Sequence, residues 1–330
     1  MNVLPPIFLA GNGTSRSLEC PIIQSPLAGV SDQIFRNFVR RWSPKALLFT
    51  EMVNAKSLEL GYGEEKVIEL SEERGPIGVQ LFDHRPDSMI DAAIKAELAG
   101  AFLIDINMGC PVKKIARKGG GSALLREPEL AQEIVKKVSK AISIPLTVKI
   151  RLGWSESSSD PISFALGLQE AGAQLITIHG RTRRQGFSGT ANWEAISKIK
   201  KVLDIPVIAN GDIKNARDAI KCLETTNADG VMIGRASMGA PWLVGQIDDE
   251  INKKTFRIPD AQMKVSLALE HLRLLISKKG SHGLLIARKH LNWTCRGFQG
   301  SSALRHELVR ASTPKDAIKL LEEELIKLRQ

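Results

Sequence analysis

The chain has 330 residues, 43% of them hydrophobic and 25% charged, with a formal net charge of +10. This is a soluble globular composition, and no apolar run approaches the roughly 18 residues that cross a bilayer, which excludes a membrane-spanning role. Cys20, Cys110, Cys222 and Cys295 form no Cys-x-x-Cys pair and Met1 to Gly13 lacks a basic start, so no zinc site, disulfide framework or signal peptide is expected, and a reducing cytoplasm is the natural setting.

After a short polar lead, residues 22–27 read as a strand ending in Ala28-Gly29-Val30. Ser31 or Asp32 then caps a helix to about Arg41. Residues 46–52 and 76–82 read as the second and third strands, and Pro86 opens a helix that ends at Gly100. Residues 102–107 are the fourth strand, with a helix over 128–141. Residues 145–151 are the fifth, with a helix from Asp160-Pro161 to Gly172. Residues 175–180, 205–210 and 229–234 are the sixth to eighth, with helices from about Trp193, from Asn215 and beyond Arg235. These runs are apolar throughout instead of alternating, as in a parallel sheet covered on both faces. Eight such strand–helix units predict an α/β fold, a (β/α)8 TIM barrel. No Gly-x-Gly-x-x-Gly follows the first strand, which counts against a dinucleotide Rossmann fold.

From about Pro259 the texture changes. Helical spacing recurs over 265–276, 284–292, 303–309 and 317–328, with Gly280, Gly283, Gly297 and Gly300 between. The expected organisation is a barrel over residues 1–250 and a C-terminal all-helical domain over 251–330. That second part holds 16 Lys/Arg against 7 Asp/Glu, a net of +9, leaving +1 for the first 250 residues. A basic domain on a neutral one points to a polyanionic partner, nucleic acid first.

Barrel active sites are built at the carboxyl ends of the strands. There the chain places Pro26, Leu27 and Ala28; Gln80; Asn107 and Cys110; Lys149 and Arg151; His179 and Arg181; Asn210, Gly211 and Asp212; and Gly234 and Arg235. Cys110 lies between Gly109 and Pro111 and precedes Lys113, Lys114, Arg117, Lys118 and three glycines. A thiol on such a cationic, glycine-hinged loop is placed for chemistry, although a free cysteine read alone is more often a small hydrophobe. Lys149 interrupts an apolar strand, and a buried ammonium must find an anion or a hydrogen-bonding partner. Gly211 and Gly234 suit a phosphate cradle to which Arg235 adds charge. His179 by itself is as readily a satisfied core histidine.

Six stretches stand in order: Ser25-Pro26-Leu27-Ala28-Gly29-Val30-Ser31-Asp32, Asn107-Met108-Gly109-Cys110-Pro111-Val112-Lys113-Lys114, Val148-Lys149-Ile150-Arg151, His179-Gly180-Arg181-Thr182-Arg183, Asn210-Gly211-Asp212-Ile213 and Val231-Met232-Ile233-Gly234-Arg235. Together they resemble the tRNA-dihydrouridine synthases, closest to the bacterial B-type subfamily. The resemblance implies an FMN-dependent oxidoreductase that takes electrons from NADPH or NADH. It would deliver hydride to C6 of a D-loop uridine in tRNA while Cys110 protonates C5. It further implies that Pro26, Leu27, Ala28, Gln80 and Lys149 hold the flavin ring, and that His179 contacts the flavin or the substrate. Asn210, Gly211, Asp212, Gly234 and Arg235 would hold its ribityl and phosphate, and Asn107, Lys113, Arg181 and Arg288 would contact the tRNA. A monomer with no metal and no membrane attachment is expected. Departures from the family pattern are Ser25, Leu27 and Leu152, and Phe187 and Thr294 where tyrosines are usual. Two other readings stand beside it. One is a flavin barrel reducing a free pyrimidine, like dihydroorotate dehydrogenases, which needs no basic tail. The other is a non-catalytic RNA-binding protein, which needs neither Cys110 nor Lys149.

Overall fold

In the computed structural model, residues 4–157 and 160–329 are described. Residues 1–3, at the start of the stretch read for a signal peptide, and residue 330 lie outside them. The strands are β1 (Ile7–Ala10), β2 (Ser15–Leu18), β3 (Ile22–Gln24), β4 (Leu48–Phe49), β5 (Val53–Asn54), β6 (Ile77–Phe82), β7 (Leu103–Asn107), β8 (Leu146–Arg151), β9 (Leu175–His179), β10 (Val207–Asn210) and β11 (Gly230–Ile233). The main sheet is parallel in the order β3-β11-β10-β9-β8-β7-β6-β4, with β5 also paired to β6. Between β3 and β4 the ring is joined by the parallel bridge Cys20–Ala46 and by Gln24 N–H donating to Leu47 O at 3.1 Å. This is the expected (β/α)8 barrel. β7 to β11 are buried at every position, because side chains on one face fill the barrel and those on the other meet the helices.

Helix starts follow the local chemistry. Asp32 accepts the Phe35 N–H at 2.9 Å to begin Gln33–Trp42, and Asp160 caps Pro161–Glu170 through the Ile162 and Ser163 amides. Of the expected second strand over residues 46–52 only β4 forms, and β5 begins just beyond its end. Between them the Glu51 carboxylate turns away to accept the Gly29 N–H and to pair with Lys66.

The lead before the first barrel strand is not featureless. β1 and β2 form an antiparallel hairpin whose Ile7 and Leu9 point inward while Phe8 and Ala10 face solvent. Ile7, Leu9 and Leu18 pack with Ile23, Leu47, Leu103 and Leu175, residues at the amino ends of the barrel strands. The hairpin therefore stoppers the end of the barrel opposite the carboxyl mouth. Two four-residue strands, one of them mostly polar, are too short for their alternation to register in the sequence.

The helices Ala261–Lys279, His282–Thr294, Ser301–Arg310 and Pro314–Lys327 share a second core around Val265, Leu272, Leu291, Leu308 and Leu321. Ile34 and Phe38 of the first barrel helix and Trp242 join that core, and Arg41 pairs with Glu270 across the junction. Among the described residues no helix is long and apolar enough to cross a membrane.

Candidate active site

Strand register alone assembles the polar set. Asn107 lies opposite Lys149, Arg151 opposite His179, His179 opposite Asn210, and Gln80 opposite Asp105. At the carboxyl mouth Asn107, Lys149, Arg151, His179 and Asn210 border a cavity of about 640 Å³, within the range of roughly 300–1,000 Å³ usual for cofactor sites. Pro26, Leu27, Ala28, Asn107, Cys110, Lys149, His179, Arg181, Asn210, Gly211, Asp212, Gly234 and Arg235 all line it. Three expected residues do not. Gln80 lies one layer beneath, Lys113 borders a separate rim pocket, and Arg288 is in the helical part, donating to Ala311 O at 2.9 Å.

Cys110 is 8% exposed. Its loop is not the open glycine hinge read from sequence but two short helical turns, Lys113–Ala116 and Gly121–Arg126. A Cβ on Gly121 (φ 58°) would stand 3.2 Å from the Cys110 Cβ, so that glycine admits the close approach. The Asn107 Oδ1 accepts the Gly109 and Cys110 amides at 3.2 and 2.8 Å. Its Nδ2 donates to Gln80 Oε1 at 2.9 Å, and Gln80 Nε2 donates to Asp105 Oδ2 at 2.6 Å. Thr147 donates to the other Asp105 oxygen at 2.7 Å. Burial raises Asp105 to about 6 against these hydrogen bonds and the Lys149 charge. Asn107 and Gln80 thus position the cysteine loop from inside the barrel.

Burial pushes the Cys110 thiol up, opposed by the Val112 amide and the charges of Arg151 and Lys149, so the thiol is protonated at neutral pH. Lys149, 9% exposed, donates to Asn210 Oδ1 at 3.1 Å. Burial, and then Arg151, lower it from 10.5 to about 8. Arg151, whose position the sequence marked without a role, ties the mouth together. It donates to Gly109 O at 2.7 Å, Thr182 O at 3.0 Å and Gly186 O at 2.9 Å.

Arg181 is committed to protein partners. Its Nη2 reaches both Asp212 oxygens at 2.8 and 2.7 Å and Gly189 O at 2.7 Å, and its Nε reaches Ser188 O at 3.1 Å. Asp212 sits at φ 57°, where its carboxylate also accepts the Ala191 amide. Burial would raise Asp212, but the Arg181 and Ala191 hydrogen bonds and the two arginine charges outweigh it and hold it below the usual value. Burial, then Lys149, Arg151, Arg181 and Arg235, drive His179 down to about 2, so its imidazole is neutral. Its Nε2 faces the Arg181 Nη1 at 3.4 Å, and a guanidinium only donates, which puts the ring proton on Nδ1. Arg235, with its side chain 47% exposed, lies over the Phe187 ring at 4.2 Å. Phe187 still lines the mouth without the tyrosine hydroxyl.

The donor set suits a bound mononucleotide flavin. Among the described residues, the buried Lys149 ammonium has Asn210 as its one hydrogen-bond acceptor, leaving donors for an anionic edge. Gly211 and Gly234 expose backbone at the far wall beside Arg235, and an added Gly211 Cβ would meet Ala191 at 2.8 Å and the His179 ring at 3.0 Å.

A family model described as dihydrouridine synthase matches residues 23–330. The chain is 49% identical over 310 residues to a Synechocystis sp. protein named "Probable tRNA-dihydrouridine synthase 1", covering 94% of this chain and 87% of that one. It is 38% identical over 312 residues to tRNA-dihydrouridine synthase B of Pasteurella multocida, covering 93% of each. Among solved structures, histamine dehydrogenase from Rhizobium sp. 4-9 matches with a TM-score of 0.58 at 11% identity over 81% of this chain. This chain spans 50% of that one, and the likeness shows the barrel fold alone.

Proposed function

Because this chain belongs to the dihydrouridine synthase family, a family of flavin-dependent oxidoreductases, we propose that it reduces the C5=C6 bond of a D-loop uridine in tRNA. FMN would be its flavin and NADPH or NADH its electron source. The observation that carries this reading is that a protonated, buried Cys110 and an under-partnered Lys149 border the same cavity.

When bound, FMN supplies the hydride for uridine C6. Lys149, oriented by Asn210 Oδ1, would hold the pyrimidine edge of the ring, and the Pro26-Leu27-Ala28 turn would bound it. That turn is held by Ser31, whose Oγ accepts the Leu27 amide at 2.9 Å. Asn210, Gly211, Asp212, Gly234 and Arg235 would take the ribityl and phosphate. Cys110 gives its proton to C5, so one hydride and one proton saturate the bond. The thiolate left behind is stabilised by Arg151 and Lys149, whose charges favour it, and is reprotonated from water. The uridine must leave its stack to enter, at a cost of a few kcal/mol offset by contacts to the flanking backbone. Residues 1–250 act as the catalytic unit, and residues 251–330, with their net charge of +9, grip tRNA phosphates.

The test is Cys110→Ala in the flavin-loaded enzyme, with dihydrouridine mapped in a tRNA transcript. Flavin content and its reduction by NADPH stay at wild-type levels while uridine reduction falls by about 10²-fold or more. Wild-type turnover by the variant removes Cys110 as the acid. Turnover of free uracil or orotate in place of tRNA by the wild-type enzyme removes the tRNA reading.

A further inference from the structure

Beside the cysteine loop lies a second, smaller cavity of about 320 Å³, lined by Lys113, Ala116, Arg117, Arg126, Trp154 and Arg183. Four of its six lining residues are cations and none is an acid. Arg126 stands 4.0 Å and Arg183 4.4 Å from the centre of the Trp154 ring. An aromatic ring attracts guanidinium groups through its quadrupole without neutralising them. Both arginines therefore keep N–H donors that a carboxylate partner would have consumed. The Nε of Arg183 is buried and has no hydrogen-bond partner, a costly condition unless a ligand completes it. Among the described residues, no ion pair is formed by Lys113, Arg117, Arg126 or Arg183. Four like charges gathered round one concavity repel each other, and an anion removes that cost.

Each wall of this pocket continues a wall of the main cavity. Lys113 follows Cys110 by three residues, Trp154 follows Arg151 by three, and Arg183 follows Arg181 by two. The backbone locks the last two segments together, with the Arg183 amide donating to Gly153 O at 2.9 Å and the Arg184 amide to Trp154 O at 3.0 Å. Three residues span at most about 10 Å, which places the pocket within reach of a nucleotide adjoining the one in the main cavity.

We propose that the Lys113–Arg117–Arg126–Arg183 pocket is a phosphate seat for the RNA backbone beside the reacting uridine, with Trp154 as the neutral platform that presents its two arginines. The proposal rests on the tRNA reading above. It assigns Arg117, Arg126, Trp154 and Arg183 a positioning role and gives Lys113 a specific neighbour.

The test uses the flavin-loaded full-length enzyme and an unmodified tRNA transcript. Binding is measured across a series of salt concentrations for wild type, Arg126→Gln, Arg183→Gln and Lys113→Gln. Lys113 and Arg126 are exposed, so their variants fold even where Arg183→Gln does not. Each variant is expected to bind tRNA about tenfold more weakly at low salt. The slope of log K against log salt should become shallower by about 0.7–0.9 for each phosphate the variant no longer engages. Flavin reduction by NADPH, which does not involve the tRNA, stays at the wild-type value in every variant. Trp154→Leu, which keeps every charge, should also weaken binding because the arginines lose their platform. Unchanged affinity and slope in Arg126→Gln and Lys113→Gln overturn the seat, while the wild type still bound to tRNA leaves the function standing. A wild type whose tRNA affinity does not depend on salt overturns both.

Discussion

Lys149→Met separates the ammonium's ligand role from its role in the fold, because the two have opposite signs. Burial and Arg151 lower Lys149 from 10.5 to about 8, so holding it charged costs the folded protein roughly 3 kcal/mol at about 1.4 kcal/mol per pH unit. A methionine of similar length removes that cost. It also strips Asn210 Oδ1 of its 3.1 Å donor, a loss of about 1 kcal/mol because the oxygen borders the cavity and can take water. Without flavin the variant should therefore be about 2 kcal/mol more stable than wild type at pH 7. Its affinity for FMN should fall about tenfold to a hundredfold through loss of a charged hydrogen bond. The pH dependence follows from the direction of the shift. The folded-state value lies below the unfolded one, so the penalty is fully present below about pH 8 and disappears as pH rises to about 10.5. The variant's advantage at pH 7 should accordingly shrink at pH 10. Urea unfolding of the flavin-free proteins at both pH values, with flavin titration by fluorescence, reads all three quantities. A flavin-free variant that is less stable than wild type, or one that binds FMN equally well, refutes the reasoning.

Asn107→Ala should lower kcat tenfold or more with little change in flavin binding, since it frees the Gly109 and Cys110 amides; steady-state kinetics beside a flavin titration distinguishes this from a binding defect. Arg181→Met should destabilise the protein by roughly 3 kcal/mol, the low end for a broken buried pair because the Asp212 side chain is 25% exposed. The depressed Asp212 carboxyl contributes stability at all pH values above its ordinary 3.8, which is lost only as pH falls through its lower folded value, so acid unfolding of wild type and Asp212→Asn should diverge above that range and converge below it. Leu9→Ala, in the hairpin that closes the barrel floor, should cost about 2–5 kcal/mol while FMN affinity is unchanged, because Leu9 packs at the end of the barrel away from the cavity; a large loss of flavin affinity in a folded variant would sink this division of labour.

The barrel and most of its mouth were legible in the chain. Apolar runs without alternation announce doubly covered parallel strands. A lysine inside Thr147-Val148-Lys149-Ile150 and a thiol before a cationic loop stand out against that background, because local composition reports burial along one segment. Contacts between segments escape it. The Asp105–Gln80–Asn107 relay exists because β6 and β7 pair Gln80 with Asp105, a register set by packing and not by either strand alone. Arg181 looks free for a ligand in the sequence, and only the turn at Asp212 brings up the carboxylate that engages it. Arg126, Trp154 and Arg183 come from three separate loops, so their meeting at one ring has no signature along the chain. What residues 4–18 do as a stopper likewise depends on the barrel floor they fill, a surface that exists only once the eight strands have closed.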